Sequence, residues 1–332
     1  MPNHDLIVIG GSAGSFPVLQ RIFQDLPADL PAAVLVCTHR AKDADDHRSE
    51  LLSAGVSLRV NSPVDGQPLE QGHIYLAPSD RHLLVVDHTI RLGRGPRENM
   101  SRPAIDPLFR SAALSFGPRA IGVVLSGMMN DGASGLHAIS ETGGITVVQH
   151  PLDAEVAAMP TAAMATVAVD HVVRSDQLGP LLGELARVPA GPPRPTGLDL
   201  ELEVKIALGS RLGSDRLSKI AEPSMFSCPH CHGVLSHMKG NGPLRYRCQI
   251  GHGFTAENLL VAQEDEVHEA LAVAMRVMEE RLGIVERMAE DARAQGRDAL
   301  AKVYDSRAAE YRHYAETLRQ AVSTGMDAIR QP

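Results

Sequence analysis

Short runs of apolar, mostly β-branched residues alternate with longer stretches of helical spacing over the first 187 residues. Several runs, such as 34–36 and 123–125, are apolar at consecutive positions, whereas a strand with one solvated face would alternate. Consecutive apolar positions indicate strands buried on both faces, as in a parallel sheet covered by helices. We therefore expect a doubly wound, mostly parallel α/β fold, with the strand order left open. The pattern predicts strands at Leu6–Ile9, Ala33–Cys37, His73–Leu76, His82–Val86, Ile121–Leu125 and Ile145–Val148, and helices at Phe16–Gln24, His47–Ala54, Ile105–Ser115, Ala133–Thr142 and Pro160–Thr166.

A proline-rich segment separates this region from the rest of the chain. Residues 189–197 contain four prolines and two glycines, a composition that cannot continue a helix. We place the first domain boundary there. The expected organisation is an α/β domain over residues 1–187, a linker over 188–222, a small cysteine-containing module over 223–254 and a helical hairpin over 255–332.

The last part of the chain shows a seven-residue apolar repeat in two runs on either side of Gln295-Gly296. Two heptad runs separated by a glycine predict an antiparallel helical hairpin. Arg281 interrupts one of the two heptad positions of the first run. The repeat comprises Leu271, Met278, Val285 and Ala292 with Val267, Ala274 and Met288 in the first run, and Tyr304, Tyr311 and Leu318 with Leu300 and Tyr314 in the second.

Composition and charge narrow the class of protein. Apolar residues make up 44% of the 332 residues and charged residues 22%, which excludes wholesale disorder. The net charge of −8 divides into −6 for residues 1–222, +3 for 223–252 and −5 for 253–332, so the chain is not a polycationic nucleic-acid binder. Pro160 interrupts the longest apolar stretch, and no basic region precedes the short apolar run near the N-terminus. We expect a cytoplasmic protein without membrane insertion.

Residues 6–15 form a predicted strand that runs into a glycine-rich turn and a helix, and two kinds of site use this shape. In the dinucleotide fingerprint G-x-G-x-x-G, glycines let the backbone approach a pyrophosphate, but Ser12 and Ser15 stand at the second and third glycine positions. In a G-x-S-x-G turn, two glycines flank an exposed serine, which is the arrangement of Gly10, Ser12 and Gly14. An ordinary βα turn without chemistry is the third interpretation.

Two other polar residues follow predicted strands. His39 comes directly after the second strand, and Asp131 lies in a loop of small residues after the strand at 121–125. The carboxyl ends of parallel strands share one edge of a sheet, so we expect both residues to lie near Ser12. A serine, an imidazole and a carboxylate in series are the parts of an acyl-transfer site. Taken singly, His39 is compatible with an ordinary loop residue and Asp131 with a helix N-cap.

Several motifs follow one another in a single order between residues 5 and 185. Together they resemble the catalytic domain of CheB-type protein-glutamate methylesterases, and their collinear order makes the resemblance specific. They are the Ser12 turn, the His39 strand end, Gly72-His73-Ile74-Tyr75-Leu76-Ala77-Pro78, Arg102-Pro103-Ala104-Ile105-Asp106 with Leu108-Phe109, and Leu125-Ser126-Gly127-Met128-Met129-Asn130-Asp131-Gly132.

The resemblance implies a role for each site residue. Ser12 corresponds to the nucleophile, His39 to the general base, and Asp131 to the acid that orients the imidazole. The backbone N–H groups of Ala13 and Met128 correspond to the oxyanion hole. The order Ser, His, Asp along the chain differs from the Ser, Asp, His order of α/β-hydrolases.

Some positions depart from the family pattern. Ala13 and Ser15 stand where family members usually have threonine and glycine, and Ser101 stands where a histidine is common. A backbone donor tolerates the change at Ala13. Arg102 is assigned either to substrate binding or to a structural ion pair at the edge of the sheet.

The resemblance also implies an activity. We expect a serine esterase that hydrolyses glutamyl methyl esters on a methylated chemoreceptor-like protein, with glutamine deamidation as a related reaction and a cognate methyltransferase as a second partner. A nucleophile at position 12 leaves no room for a preceding receiver domain. The alternative interpretation is a CheB-like interaction or regulatory protein with weak or no turnover.

Three of the four cysteines lie in the basic segment. Cys228-x-x-Cys231 and Cys248-x-x-x-His252 are separated by sixteen residues, a spacing typical of tetrahedral zinc sites with three cysteines and one histidine. We predict one structural Zn²⁺ per chain, because four protein ligands leave no open position for a reacting water. The resemblance extends more loosely to CheB-like proteins with such a segment. The rival fourth ligands are His230, His232 and His237.

Residues 198–332 have two open interpretations. They act as a lid or docking arm that affects partner binding or access to Ser12, or they form a homodimer through the heptad seam. Nucleic acid is not the expected partner, because Lys239, Arg245 and Arg247 supply few charges between acidic flanks.

Overall fold

A computed structural model of the protein describes residues 2–39, 48–211, 213–240 and 242–329. The chain divides into two compact units, Met1–Leu259 and Leu260–Pro332. Within the described residues, no helix combines the length and the apolar character needed to cross a membrane.

The first part of the larger unit is a seven-stranded sheet with helices on both faces. Every neighbouring pair in the sheet is parallel, and the strand order is β3-β4-β2-β1-β7-β8-β9. This confirms the predicted doubly wound α/β fold. The elements in chain order are β1 (Leu6–Gly11), α1 (Ser15–Asp25), β2 (Ala33–Thr38), α2 (Arg48–Ser53), β3 (Arg59–Asn61), β4 (His73–Leu76), β5 (His82–Val86), β6 (Thr89–Gly93), α3 (Ile105–Phe116), β7 (Ala120–Val124), α4 (Ala133–Glu141), β8 (Ile145–Gln149), α5 (Ala158–Thr166), β9 (His171–Val173) and α6 (Ser175–Leu185).

The central strands are buried on both faces, as their consecutive apolar residues predicted. All six residues of β1 and all five of β7 are buried. One core cluster packs α1 and α6 against the sheet, and the other packs α3, α4 and α5 against the opposite face. Because all seven strands run in the same direction, the residues that follow them meet at one edge of the sheet.

The predicted strands and helices of this region are present, with small shifts at their ends. The strand at His82–Val86 does not join the parallel sheet; it pairs with β6 in a separate antiparallel hairpin. The short edge strands β3 and β9 were not predicted, since neither contains a buried residue. His47, the predicted first residue of the second helix, lies outside the described residues.

The larger unit continues through a second, smaller sheet. The predicted linker 188–222 contains two helices, and the first of them is buried on two faces: Leu200 packs against the core of the parallel sheet, whereas Leu202 and Ile206 pack in a separate cluster. The next four strands form an antiparallel sheet in the order β10-β11-β12-β13. The elements are α7 (Leu198–Ala207), α8 (Ser214–Ile220), β10 (Ala221–Ser227), β11 (Val234–Met238), β12 (Arg245–Cys248) and β13 (Gly253–Thr255). We call residues 198–259, which include these elements and the first residues of the next helix, the appended module.

The C-terminal unit contains the helical hairpin that the repeat predicted. Helix α9 (Ala256–Ala294) begins in the larger unit, and α10 (Asp298–Ile329) follows it. Ion pairs between Arg293 and Asp305 and between Arg312 and Glu286 show that the two helices are antiparallel.

One heptad position of the hairpin lies one residue later than predicted. Val267, Met288, Leu300 and Tyr314 are exposed, whereas the alanines that follow the last three are buried. The buried positions of the seam recur at alternating intervals of three and four residues. Arg281, which interrupts the predicted repeat, lies beside the seam, and its guanidinium donates a hydrogen bond to the Tyr311 hydroxyl. The buried alanines of the seam are Ala289, Ala292, Ala301, Ala308 and Ala315.

Candidate functional site

The turn after β1 holds Ser12 in a fixed position. Ser12 N–H donates to the Ser126 carbonyl at 2.9 Å, and the Ser12 carbonyl accepts from Ser15 N–H at 3.1 Å and from Ser15 Oγ at 2.6 Å. Gly14 has φ +75°, and a Cβ there would lie 2.6 Å from Glu155 Cβ and 2.7 Å from Ser126 Oγ. The tight turn thus requires glycine at position 14 and presents the Ser12 side chain at the sheet edge.

Ser12 and His39 line one cavity of about 430 Å³ at the carboxyl ends of β1, β2 and β4. Thr38, Phe16, Leu76 and Glu155 contribute other parts of its wall. Among the described residues, Ser12 Oγ forms no hydrogen bond, so the two side chains share the cavity without direct contact through a hydrogen bond. Such contacts are often long in substrate-free sites and shorten when substrate binds.

The imidazole of His39 is paired with a buried carboxylate. Nε2 of His39 lies 2.7 Å from Oδ2 of Asp131, whose side chain is buried. Asp131 also accepts hydrogen bonds from the Ile105 N–H at 2.7 Å and from Asn99 Nδ2 at 2.8 Å. Burial alone would raise the pKa of Asp131, but the His39 contact and these donors outweigh burial and lower the pKa. Asp131 therefore stays ionised opposite His39.

A second buried carboxyl, Asp106, lies beside Asp131. Its Oδ1 accepts from the N–H groups of Gly132 at 3.0 Å and Gly135 at 2.7 Å, and its Oδ2 accepts from Asn99 Nδ2 at 2.9 Å. Burial, followed by the negative charge of Asp131, raises the pKa of Asp106 to about 7. The site thus combines an ionised carboxylate with a carboxyl that titrates near neutral pH.

The two backbone donors expected at the oxyanion position are free to bind a ligand. In the described part of the chain, neither the Ala13 N–H nor the Met128 N–H has a hydrogen-bond acceptor. Both residues are exposed, Met128 with 62% of its surface accessible. Ser12 N–H is bound to the Ser126 carbonyl at 2.9 Å, which ties the Ser12 turn to the loop that contains Met128.

Arg102 forms an ion pair with another residue of the sheet edge. Its Nη2 and Nε atoms lie 2.6 and 3.0 Å from Asp80 Oδ1, and Nη1 donates to the Gly95 carbonyl at 2.8 Å. Every nitrogen of the guanidinium is used in this way. The contacts are those of the structural ion pair that was one of the two interpretations of Arg102.

The four predicted metal ligands lie together in the second sheet. Cys228 and Cys231 lie in the connection between β10 and β11, Cys248 ends β12, and His252 precedes β13. Their ligand atoms all lie within 4.8 Å of one another. Of the described histidines, only His252 belongs to this cluster.

The distances within the cluster fit a tetrahedral metal. Cys231 Sγ lies 3.6 Å from Cys248 Sγ, and His252 Nδ1 lies 3.5 Å from Cys248 Sγ and 3.7 Å from Cys228 Sγ. A tetrahedron with Zn–S bonds of about 2.3 Å has edges of about 3.8 Å. The sulfur separation is far longer than the roughly 2.05 Å of a disulfide. The arrangement is therefore compatible with a metal site.

Sequence reasoning missed a set of residues that connects the two sheets. Asn99 contacts Asp131 and Asp106, and its Oδ1 accepts from the Thr255 N–H of β13 at 3.0 Å. Asn130 accepts from Thr255 Oγ1 at 2.7 Å. No sequence pattern signals these contacts, because an asparagine in a polar loop is common and Thr255 lies 156 residues from Asn99.

Comparison with known proteins assigns the first part of the chain to a protein family. Residues 7–182 match the CheB methylesterase family. A putative protein-glutamate methylesterase/protein-glutamine glutaminase of Leptospira interrogans is 35% identical over 180 residues, which cover 54% of this chain and 93% of the relative. The protein-glutamate methylesterase/protein-glutamine glutaminase 2 of Anaeromyxobacter dehalogenans is 37% identical over 183 residues, or 55% of this chain and 54% of the relative.

A solved structure leads to the same assignment. The catalytic domain of the CheB methylesterase of Thermotoga maritima superposes with a TM-score of 0.53 at 28% identity, and the match covers 55% of this chain and 98% of that domain. The family match ends at residue 182, before the cysteine cluster. The shared α/β fold and the match over residues 7–182 confirm the expected family, and the chain belongs to the CheB methylesterase family.

Proposed function

We propose that this chain is a protein-glutamate methylesterase that uses Ser12 as its nucleophile. The observation that carries the proposal is the 2.7 Å contact between His39 and the buried Asp131, at the wall of the cavity that also holds Ser12. The names of the relatives from Leptospira interrogans and Anaeromyxobacter dehalogenans support the reaction class.

In the first half of the reaction, Ser12 Oγ attacks the carbonyl carbon of a glutamyl methyl ester. With the imidazole proton on Nε2, which donates to Asp131, Nδ1 of His39 keeps the lone pair that accepts the Ser12 proton. Asp131 fixes this tautomer and stabilises the imidazolium. The N–H groups of Ala13 and Met128 donate to the oxygen that becomes negative in the tetrahedral intermediate.

In the second half, the carbon–oxygen bond to the methoxy group breaks, and the leaving oxygen takes the proton from His39 as methanol. Water then attacks the acyl-enzyme while His39 accepts its proton, and collapse of the second intermediate returns the proton to Ser12 and releases glutamate. The same steps on a glutamine side chain release ammonia, which is the deamidation implied by the names of the relatives.

The expected substrate is a methylated chemoreceptor-like protein, and a methyltransferase is the class of enzyme that must supply its esters. Exposed apolar residues lie at the same sheet edge as Ser12, where a partner could cover them. Leu152, just after β8, has 91% of its surface accessible, and Met128 lies after β7.

Methanol release from a methylated receptor tests the proposal. Ser12→Ala is expected to lower the rate by about 10⁴-fold or more, because no other group supplies the attacking oxygen. A fluorophosphonate should label the wild-type chain at Ser12, as read by peptide mass spectrometry. Ser53→Ala, which removes an exposed hydroxyl at the end of α2, is the matched control and should retain full activity.

If Ser12→Ala still hydrolyses the ester, the nucleophile is another residue. If the wild-type chain neither releases methanol nor reacts at Ser12, the alternative of a non-catalytic interaction protein is correct.

We also propose that Cys228, Cys231, Cys248 and His252 bind one Zn²⁺ per chain. The donor set and its 3.5–3.7 Å spacings support zinc, and four protein ligands make the site structural. A metal bound there would cross-link the β10–β11 connection to the end of β12 and to the residue before β13. It would take no part in ester hydrolysis.

A further inference from the structure

Asn99 connects Asp131, the carboxylate proposed to orient His39, to the appended module. Its side chain is buried, and its amide nitrogen donates to Asp131 Oδ1 at 2.8 Å and to Asp106 Oδ2 at 2.9 Å. Its backbone N–H donates to the Gly253 carbonyl at 2.9 Å. One residue therefore contacts both buried carboxyls on one side and strand β13 on the other.

The contact with Thr255 and the contact with Asp131 favour the same orientation of the Asn99 amide. Rotating the amide by 180° would exchange its oxygen and nitrogen and direct a carbonyl oxygen at the ionised Asp131 carboxylate, which can only accept. Thr255 N–H lies 3.0 Å from Asn99 Oδ1 and can only donate, so it favours the orientation in which Nδ2 faces Asp131. The backbone of β13 thus reinforces the orientation in which Asn99 donates to Asp131.

The residue next to Asp131 is held by the same segment. Asn130 Oδ1 accepts from Thr255 Oγ1 at 2.7 Å and from Asn258 Nδ2 at 2.6 Å, and Asn130 Nδ2 donates to Glu257 Oε2 at 2.5 Å. Asn130 and Asn258 are buried. Residues 253–258 therefore hold the Asp131 loop through Asn130 and the Asp131 carboxylate through Asn99.

Buried charges attach the module at this place. Arg247 Nη2 lies 2.8 Å from Glu203 Oε1 and 3.0 Å from Glu98 Oε1, and Arg110 of α3 pairs with Glu98. Arg247 Nη1 also donates to the Gly251 carbonyl at 2.7 Å. A buried ion cluster of this kind requires all its members, because a partner left alone is an uncompensated charge. The position of β13 relative to Glu98 and Asn99 is consequently well determined.

We infer that residues 253–258 of the appended module complete the active site, with Asn99 as a positioning residue that acts through Asp131. This inference rests on the proposed function of Ser12, His39 and Asp131. The family match ends at residue 182, so Thr255, which supports Asn99 and Asn130, lies outside the matched domain. The module contributes no group that touches the substrate; it sets the geometry of the carboxylate that orients His39.

A double-mutant cycle in the full-length chain tests the inference. Asn99→Ala is expected to lower kcat by about 10- to 100-fold with KM changed less than about twofold, because a hydrogen bond to a charged group is lost. In an Asp131→Asn background, Asn99→Ala should cause no further loss in the rate of fluorophosphonate labelling of Ser12. An equal loss in both backgrounds would show a general structural role and overturn the inference. Asn61→Ala, a partly buried asparagine of β3, is the matched control.

Thr255 separates the contribution of the module from that of Asn99. Thr255→Pro removes both the N–H that faces Asn99 and the hydroxyl that faces Asn130, and it removes no N–H of the β12–β13 ladder because this N–H bonds Asn99. Thr255→Val keeps the N–H and removes the hydroxyl that donates to Asn130 and accepts from Asn258. We expect both variants to lower kcat, with the larger loss for proline, while the metal content stays at the wild-type value. Unchanged kcat in both variants would overturn the role of the module.

A readout without hydrolysis distinguishes failure of this inference from failure of the proposed function. The Nε2 proton of His39, bonded to Asp131, should give a downfield proton NMR resonance that disappears in His39→Gln. Asn99→Ala should shift or broaden this resonance even if the wild-type chain releases no methanol, in which case only the proposed function falls. If the wild-type chain hydrolyses the ester and Asn99→Ala changes neither the rate nor the resonance, only the inference falls.

Discussion

At the level of single residues, the site contains two buried carboxyls, Asp106 and Asp131, whose pKa values are shifted in opposite directions. Burial followed by the charge of Asp131 raises the pKa of Asp106 to about 7. Burial also acts on Asp131, but the contact with His39 and the donors around it lower the pKa instead. When their environments push the pKa values of two neighbouring carboxyls apart, the two groups usually have different roles. Here the ionised group orients His39, and the other takes up a proton near neutral pH.

Asp106 should make the stability of the fold depend on pH. Its pKa is about 7 in the folded chain and about 4 in an unfolded one, so folding takes up a proton between these values. The resulting stabilisation is complete below about pH 4 and is lost as the pH rises through about 7. Relative to Asp106→Asn, the wild-type chain should lose on the order of 3 to 4 kcal/mol in free energy of unfolding over this range. Urea unfolding of both chains between pH 4 and 8 measures the difference.

The comparison between the two chains removes the contribution of other titrating groups, including the cysteine cluster. Asp215→Asn, an exposed substitution in α8, serves as the control and should follow the wild-type pH dependence. A constant difference between the wild-type chain and Asp106→Asn across the range would contradict a raised pKa for Asp106.

The shared location of Ser12, His39 and Asp131 at one sheet edge could be predicted from the sequence, because each of them follows a strand with a recognisable apolar run. The parallel arrangement then brings the strand ends together without further information. Asn99 could not be predicted in this way, because its orientation depends on Thr255, a partner 156 residues away. Asp106 belongs to the motif at residues 102–106, but its raised pKa depends on burial, which the sequence does not show.

At the level of elements, prediction succeeded where burial was complete. Strands β1, β2 and β7 have continuous apolar sequences and were predicted within two residues of their ends. Strands β3 and β9 have three residues each and form only by pairing with a neighbour. The hairpin seam was displaced by one residue at one heptad position, because small alanines form the contact and larger apolar residues beside them remain exposed.

The folding of the second sheet should depend on the proposed metal. Thirty residues with few apolar side chains need a cross-link to fold, and Cys248 ends the strand that leads to β13. We expect Cys248→Ser to lose the metal, to unfold residues 224–254 locally, and to lower hydrolysis through the loss of the Thr255 contact. Native mass spectrometry measures the metal, and limited proteolysis reports the local unfolding.

Cys37→Ala provides the control for loss of a thiol, since Cys37 lies in β2 and outside the cluster. It should keep one metal per chain. Full metal content in Cys248→Ser, or resistance to protease equal to that of the wild-type chain, would contradict the proposed ligand set.

At the level of the whole molecule, the compact unit that contains Ser12 extends to Leu259, well past the end of the family match. Glu203 and Arg247, which lie after residue 187, are fully buried with Glu98 and Arg110. The positive charges of Arg110 and Arg247 lower the pKa of Glu98 despite its burial. The sequence-based boundary at the proline-rich segment therefore lies between partners of one buried cluster.

Two truncated chains should consequently behave differently. A chain ending at Arg187 loses Glu203, Arg247 and Thr255, and it should be destabilised by roughly 3–5 kcal/mol and lose hydrolysis of a small ester. A chain ending at Gln263 keeps the larger unit and should retain both stability and hydrolysis. Urea unfolding and a chromogenic ester assay measure the two properties. Full small-ester activity in the Arg187 chain would contradict the role of the buried cluster.

The Gln263 chain also separates the two interpretations of the hairpin. A fall in mass in solution, with unchanged hydrolysis of the methylated partner, would assign the hairpin to assembly. Unchanged mass with slower hydrolysis of the partner would assign it to docking.

The contact between Asn99 and Thr255 has a consequence for folding of the protein during its synthesis on the ribosome. Synthesis proceeds from the N-terminus at roughly 5–20 residues per second, so the parallel sheet and the residues proposed for catalysis emerge before β13 does. During that interval Glu98 can pair with Arg110 but not with Arg247, and Asn99 Oδ1 lacks the N–H donor of Thr255. We expect the nascent chain to form the parallel sheet in this period. Full enzymatic activity should follow only after the small sheet has been synthesised and has packed against the parallel sheet.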